Sequence, residues 1–231
     1  APGPEHWEAA MRIFCYLMKT THYRIRLGGS HAILYAYGDA NLAGDCGGKT
    51  DSHRSMSGSI YFLADGPIEW GANTQKRVAL STSAAEATAM YYTAVSQAEV
   101  NVLSFRDILK EISCEQRLPT YMFCDNKGAV EATHNPMTGK MRHINMKIHH
   151  LRESIEAGEI QTALIKTDDM LADSLTKHLP RQRHEYLRRL NTGYGTSTDL
   201  ERYDSKPGVP KKLLELLKNG FEGCDAGAYD Y

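Results

Sequence analysis

Four acids stand in a fixed order along the 231-residue chain: Asp39 in Tyr-Gly-Asp-Ala, Glu86 in Ser-Ala-Ala-Glu, Asp125 in Phe-Cys-Asp-Asn and Asp173 in Leu-Ala-Asp-Ser-Leu-Thr-Lys. Carboxylates gathered from distant segments repel one another unless cations lie between them, and hard oxygen ligands of this kind suit Mg²⁺. Any single one of the 28 acidic residues is more often a cap or turn residue, because short acidic side chains bond nearby backbone. The weight therefore falls on the combination, which needs a fold that brings all four together.

The hydrophobic pattern supplies such elements. Trp7, Met11, Phe14 and Leu17 follow Pro2 and Pro4 at helical spacing and predict an amphipathic helix ending near Thr20. Residues 31–37 read as a short buried strand whose end carries Asp39. Strands over 59–63 and 68–73 flank Ala-Asp-Gly-Pro, which is hairpin chemistry, and 77–80 reads as a third short extended piece. A long helix is expected over 83–112, with Glu86 in its first turn facing the positive end of the helix dipole. Residues 121–124 read as a strand delivering Asp125, and Asp125-Asn126 as the cap of a short helix ending around Asn135-Pro136. The basic loop Lys140-Met141-Arg142-His143 leads to a helix over 146–157 that Gly158 stops; 160–165 is the last strand, and Asp168 caps the helix that carries Asp173. The order predicts an α/β fold, a mixed sheet with helices on its faces. Neighbouring strand ends and the first turns of helices packed on that sheet can then meet at one spot.

Composition bounds the rest. A hydrophobic fraction of 42% supports a real core, and 27 basic against 28 acidic residues leave a formal charge of −1, so any grip on polynucleotide must be local. Five cysteines, odd in number and without C-x-x-C spacing, argue against a disulfide framework or structural zinc and favour a reducing compartment. No apolar run approaches a membrane span and no secretory signal is visible. The start at Ala-Pro-Gly-Pro, without methionine, reads as a fragment or processed product.

From Tyr37 to Lys177 the chain resembles the ribonuclease H domain of copia-type retrotransposon polyproteins. The landmarks are Asp39 with Ala43-Gly44-Asp45, Ser55-Met56-Ser57-Gly58, Leu80-Ser81-Thr82-Ser83-Ala84-Ala85-Glu86, Cys124-Asp125-Asn126, Arg142-His143-Ile144-Asn145 and Ala172-Asp173-Ser174-Leu175-Thr176-Lys177, in the family's order. Residues 1–28 resemble the end of the preceding reverse transcriptase region, 29–190 form the ribonuclease H-like domain, and 191–231 read as linker and peripheral tail, partly disordered. The chain departs from the family at Asn41-Leu42, Ala84, Ala87, Asn145 and Met170, where Asp-Trp, Glu, Tyr, Asp and Gln are usual; the four positions matching metal ligands stay acidic.

The resemblance implies a ribonuclease H-like fold with a five-stranded mixed sheet flanked by helices. It also implies hydrolysis of the RNA strand of RNA/DNA hybrids by two Mg²⁺ ions, with Mn²⁺ as a substitute. One ion helps make the hydroxide nucleophile and the other stabilises the leaving 3′ oxygen. By matching positions, Asp39 bridges the ions, Asp125 and Glu86 share the first, and Asp173 completes the second. Arg142 and His143, with Lys140 and Lys147 nearby, form a basic patch for phosphates, and Asn126 and Lys177 are further hybrid contacts. The partners implied are the hybrid and the reverse transcriptase domain of the same polyprotein, in an intracellular setting, cytoplasmic within a virus-like particle or nuclear. Two other readings compete. An integrase or transposase of the same fold uses a D-D-E order, which this D-E-D-D chain does not follow. A catalytically inert connection or binding module of a decayed or repurposed retroelement polyprotein is favoured by the lost aromatics and near-neutral charge.

Overall fold

The computed structural model describes residues 2–28, 32–42, 53–76, 78–95, 101–134 and 145–193. Five strands form one sheet in the order β3-β2-β1-β4-β5, with β1 Leu34–Asn41, β2 Met56–Leu63, β3 Gly66–Thr74, β4 Thr120–Cys124 and β5 Ile160–Leu164. The first three are antiparallel neighbours, and β4 and β5 continue from β1 in parallel. This is the five-stranded mixed sheet the sequence implies.

The β2–β3 hairpin closes on Ala64 and Asp65, both at positive φ (49° and 63°), between the paired Leu63 and Gly66. Two left-handed central residues match the twist of the flanking strands. The helices are α1 Pro4–Lys19, α2 Thr82–Val95, α3 Val102–Glu111, α4 Lys127–His134, α5 Asn145–Glu156, α6 Asp173–Thr176 and α7 Arg181–Asn191.

Two apolar layers cover the sheet. On one face Leu34, Ala36 and Met122 pack with Ala84, Ala87, Met90, Val102, Ile148 and Leu151 from α2, α3 and α5. On the other, Tyr35, Tyr37, Phe62 and Phe123 pack with Met170, Leu171 and Leu187. Strand alternation explains the split: even-numbered β1 residues Leu34 and Ala36 face one layer, odd-numbered Tyr35 and Tyr37 the other. Ala84, Ala87 and Met170, where the family's usual Glu, Tyr and Gln are absent, are all fully buried in these layers. The small helix side chains are thus absorbed by close packing of α2 on β1.

Four expectations need correction. The long helix over 83–112 is two helices, because the Asn101 side chain accepts from the Ser104 N–H at 3.0 Å and starts α3 afresh. An Asn cap satisfies donors that a continuous apolar period cannot reveal. The extended piece over 77–80 pairs with no strand at 78–80; Ser81 Oγ accepts from Ala84 N–H at 3.1 Å, making this stretch the lead-in to α2. Because α2 begins at Thr82, Glu86 sits beyond its first turn. Asp168 does not cap the helix carrying Asp173: it lies in a 3-10 turn, Thr167–Asp169, and Ala172 precedes α6. A separate helix, α7, then follows. Gly158 does end α5, with a φ of 73°, a left-handed conformation that glycine adopts without strain. The tail from 194 onward and the loop with Lys140, Arg142 and His143 lie outside the described residues.

Candidate active site

Asp39 is the sixth residue of β1, inside the strand, and is fully buried. Alternation puts it on the face of Tyr35 and Tyr37, under α6. Its partner across the β1–β2 ladder is Gly58, and a Cβ there would meet Thr176 Cγ2 at 2.7 Å and Leu175 Cβ at 2.9 Å. Glycine at this point lets α6 lie directly on β2. Thr176 Oγ1 consequently donates to Asp39 Oδ2, and Asn41 Nδ2 donates to the Thr176 carbonyl at 3.2 Å.

Asp173 begins α6 and is buried. Lys177, one turn on, donates to Asp173 Oδ1 at 2.5 Å and reaches Asp39 Oδ1 at 3.3 Å. Arg183 of α7 approaches Asp173 Oδ2 at 3.6 Å while donating to the Asp168 and Thr167 carbonyls.

Glu86 reaches the same end of the sheet from α2. Its Oε2 accepts from the Ala40 N–H at 3.0 Å, which ties it to the residue after Asp39. Buried Gln75 helps set the depth of α2, donating from Nε2 to the Ala85 carbonyl at 2.9 Å and to Ser57 Oγ at 2.8 Å. Asp125 follows the last residue of β4, and ligand atoms of Glu86, Cys124 and Asp125 all lie within 4.8 Å of one another. Strand end, strand interior and two helices thus bring the four predicted acids to one place.

The electrostatics follow from that crowding. Burial, then the charges of Asp39 and Asp125, push the Glu86 carboxyl up to about 10. Burial also raises Asp39, against the lowering effects of the Thr176 bond and Lys177. Burial alone would lower Lys177, but its bond to Asp173 and the charges of Asp39 and Asp173 outweigh this and raise it. The buried Cys124 thiol is pushed up by desolvation and by Glu86, which keeps it protonated and a poor ligand. Hard carboxylate oxygens in mutual repulsion fit divalent cations such as Mg²⁺.

Of the expected hybrid contacts, Asn126 caps α4, its Oδ1 accepting from Ala129 N–H at 3.0 Å and from Ser83 Oγ at 3.2 Å. Lys147 lies over the ring of Tyr92, 4.5 Å from its centroid. Sequence reasoning did not assign roles to Thr176, the Ala40 N–H or Arg183. The i,i+4 spacing of Asp173 and Lys177 was a readable signal for their pairing; Arg183 carried none.

Fold and acidic centre together define a ribonuclease H-like domain. No protein-family profile matches the chain. It is 34% identical over 190 residues to the retrovirus-related Pol polyprotein from transposon TNT 1-94 of Nicotiana tabacum, covering 82% of this chain and 14% of that polyprotein. It is likewise 34% identical over 182 residues to the Pol polyprotein from transposon RE2 of Arabidopsis thaliana, covering 78% of this chain and 12% of the relative. Among solved structures it is similar to LC11-RNase H1, isolated from compost by a metagenomic approach, at a TM-score of 0.46 and 12% identity, covering 63% of this chain and 93% of that one. The chain's homologues are retrovirus-related Pol polyproteins of copia-type transposons, and it spans only a small part of their length.

Proposed function

We propose that this domain is a metal-dependent endonuclease that hydrolyses the RNA strand of RNA/DNA hybrids during retrotransposon reverse transcription. The observation that carries the reading is the meeting of Asp39, Glu86, Asp125 and Asp173 at one end of the sheet, with Glu86 and Asp125 in one cluster and Asp39 and Asp173 joined through Lys177. When bound, two Mg²⁺ ions, or Mn²⁺ in their place, supply Lewis acidity on both sides of the scissile phosphate. The chain's own part is to hold oxygen ligands rigidly. In this reading Glu86 and Asp125 would hold one ion and Asp39 and Asp173 the second, with Asp39 bridging the two as the family resemblance implies. The Ala40 N–H fixes Glu86 and Thr176 fixes Asp39, so neither carboxylate must be ordered when substrate arrives.

Selection of an RNA strand rests on 2′-hydroxyl contacts in the wide minor groove of the hybrid. Asn126, Lys140, Arg142, His143 and Lys177 are the proposed contacts. Helix α1 has no buried residue and exposes Trp7, Phe14, Leu17 and Met18, which supports reading 1–28 as the end of the reverse transcriptase region; in the same proposal 29–190 is the nuclease domain and 191–231 an appended tail. The partners are then the hybrid and that reverse transcriptase domain, inside the cell. Among the described residues no helix is long and apolar enough to cross a membrane.

The test is cleavage of a labelled RNA/DNA hybrid in Mg²⁺ by the purified chain beside Asp125→Asn. Wild type is expected to cut the RNA strand and the variant to lose at least about a hundredfold in rate, the scale of a lost electrostatic catalytic group. Equal rates for the two would identify the chain as an inert connection module.

A further inference from the structure

The two halves of the acidic centre differ in one respect: one already contains a cation. Lys177 Nζ lies 3.3 Å from Asp39 Oδ1 and 2.5 Å from Asp173 Oδ1. The other oxygens of that pair are also engaged, Asp39 Oδ2 by Thr176 Oγ1 and Asp173 Oδ2 by Arg183 at 3.6 Å. Among the described residues, Glu86 and Asp125 in contrast have no ammonium between them; the Glu86 contact is the neutral Ala40 N–H. We propose that Lys177 is a resident counter-cation that occupies the Asp39–Asp173 position and must be displaced before a divalent ion can enter it, which makes metal loading sequential. The inference rests on the metal-binding reading above.

The physical basis is competition for the same oxygens. A buried carboxylate pair left without a cation is strongly unfavourable, so the ammonium holds the metal-free centre together. The first ion, entering between Glu86 and Asp125, displaces no ammonium from either of those two carboxylates among the described residues. The second must break two contacts of Lys177 and leave the ammonium in water. The Lys177 side chain keeps 32% of its surface exposed, so its stem has a path outward without unfolding α6.

Calorimetric titration of the full chain with Mn²⁺ tests this, alongside melting in EDTA. Wild type is expected to bind one ion and then a second more weakly. Lys177→Met should strengthen the second step by roughly tenfold, within the usual range for coupled sites, and leave the first within about twofold. It should also melt lower in EDTA and recover more than wild type on Mn²⁺ addition. Lys177→Gln keeps an amide donor for the carboxylates and carries the test if the methionine variant does not fold. Lys127→Met is the charge control: that ammonium pairs with Glu131 at 3.5 Å on α4, is largely exposed, and its loss should change neither step. A second step unchanged in both Lys177 variants, with the first intact, overturns the counter-cation and leaves the metal site standing. An equal gain in Lys127→Met overturns direct competition in favour of general charge. If no variant binds Mn²⁺, the metal-site reading fails and this inference with it.

Discussion

Gly58 stands opposite Asp39 in the β1–β2 ladder, and the space a side chain would fill there is taken by Thr176 and Leu175 of α6. One absent Cβ therefore sets the distance between the strand that carries Asp39 and the helix that carries Asp173. Gly58→Ala should push α6 outward, cost about 1–3 kcal/mol as an overpacked core site does, and lower hybrid cleavage more than stability alone explains. Urea midpoints and cleavage rates on the same preparations check this; a variant with wild-type values for both would show that α6 tolerates the shift.

Thr176 acts on the other oxygen of the same carboxylate. Thr176→Val removes the donor to Asp39 Oδ2 while keeping the shape. A lost hydrogen bond to a charged buried group costs about 1.5–3 kcal/mol, read as a lower urea midpoint, and Mn²⁺ should offset part of the loss. No change in midpoint would mean that the bond does not form in solution.

Glu86 makes the metal-free protein pH-sensitive. Its ordinary value is 4.5 and its folded value about 10, so between these the folded chain holds a proton that the unfolded chain releases. Stability from this group is fully present below 4.5, falls as pH rises, and is gone above about 10. Asp39, also raised, acts in the same direction. In EDTA the urea midpoint should fall from pH 5.5 to 8.5, and Glu86→Gln should flatten most of that slope. An equal slope in the variant would place the titration elsewhere.

Asn101 offers a separation of stability from site. Asn101→Ala removes the acceptor for Ser104 N–H at the start of α3, remote in sequence from all four acids. The cost should be about 1 kcal/mol, typical of a lost cap, with Mn²⁺ binding unchanged once the protein is folded. Weakened binding at saturating stability would show that α3 helps place α2.

Helix α1 contributes no buried residue. Removing residues 2–19 should leave the urea midpoint within about 0.5 kcal/mol, as for surface changes generally, and should reduce self-association by removing exposed Trp7, Phe14 and Met18. A large loss of stability would show that contacts such as Tyr16 against His184 anchor the helix to α7.

Much of this was legible in the chain. The apolar runs ending near Asp39 and Asp125, the hairpin at Ala64-Asp65, the glycine stop at 158 and the order of the four acids are local patterns, and local patterns are what period and turn chemistry encode. The break between α2 and α3 was not, because an apolar repeat continues in phase across a cap and only the backbone reveals that Asn101 restarts the helix. The same limit hid the engagement of Lys177. Sequence made it a candidate for the hybrid and placed it four residues after Asp173; it could not show Asp39 arriving from a strand 138 residues away to share the ammonium. Sequence alone determined which residues carry charge and which elements they ride on. The tertiary structure decided which carboxylates share a cation and where Gly58 admits α6, because those depend on distances between segments that only the packed sheet sets.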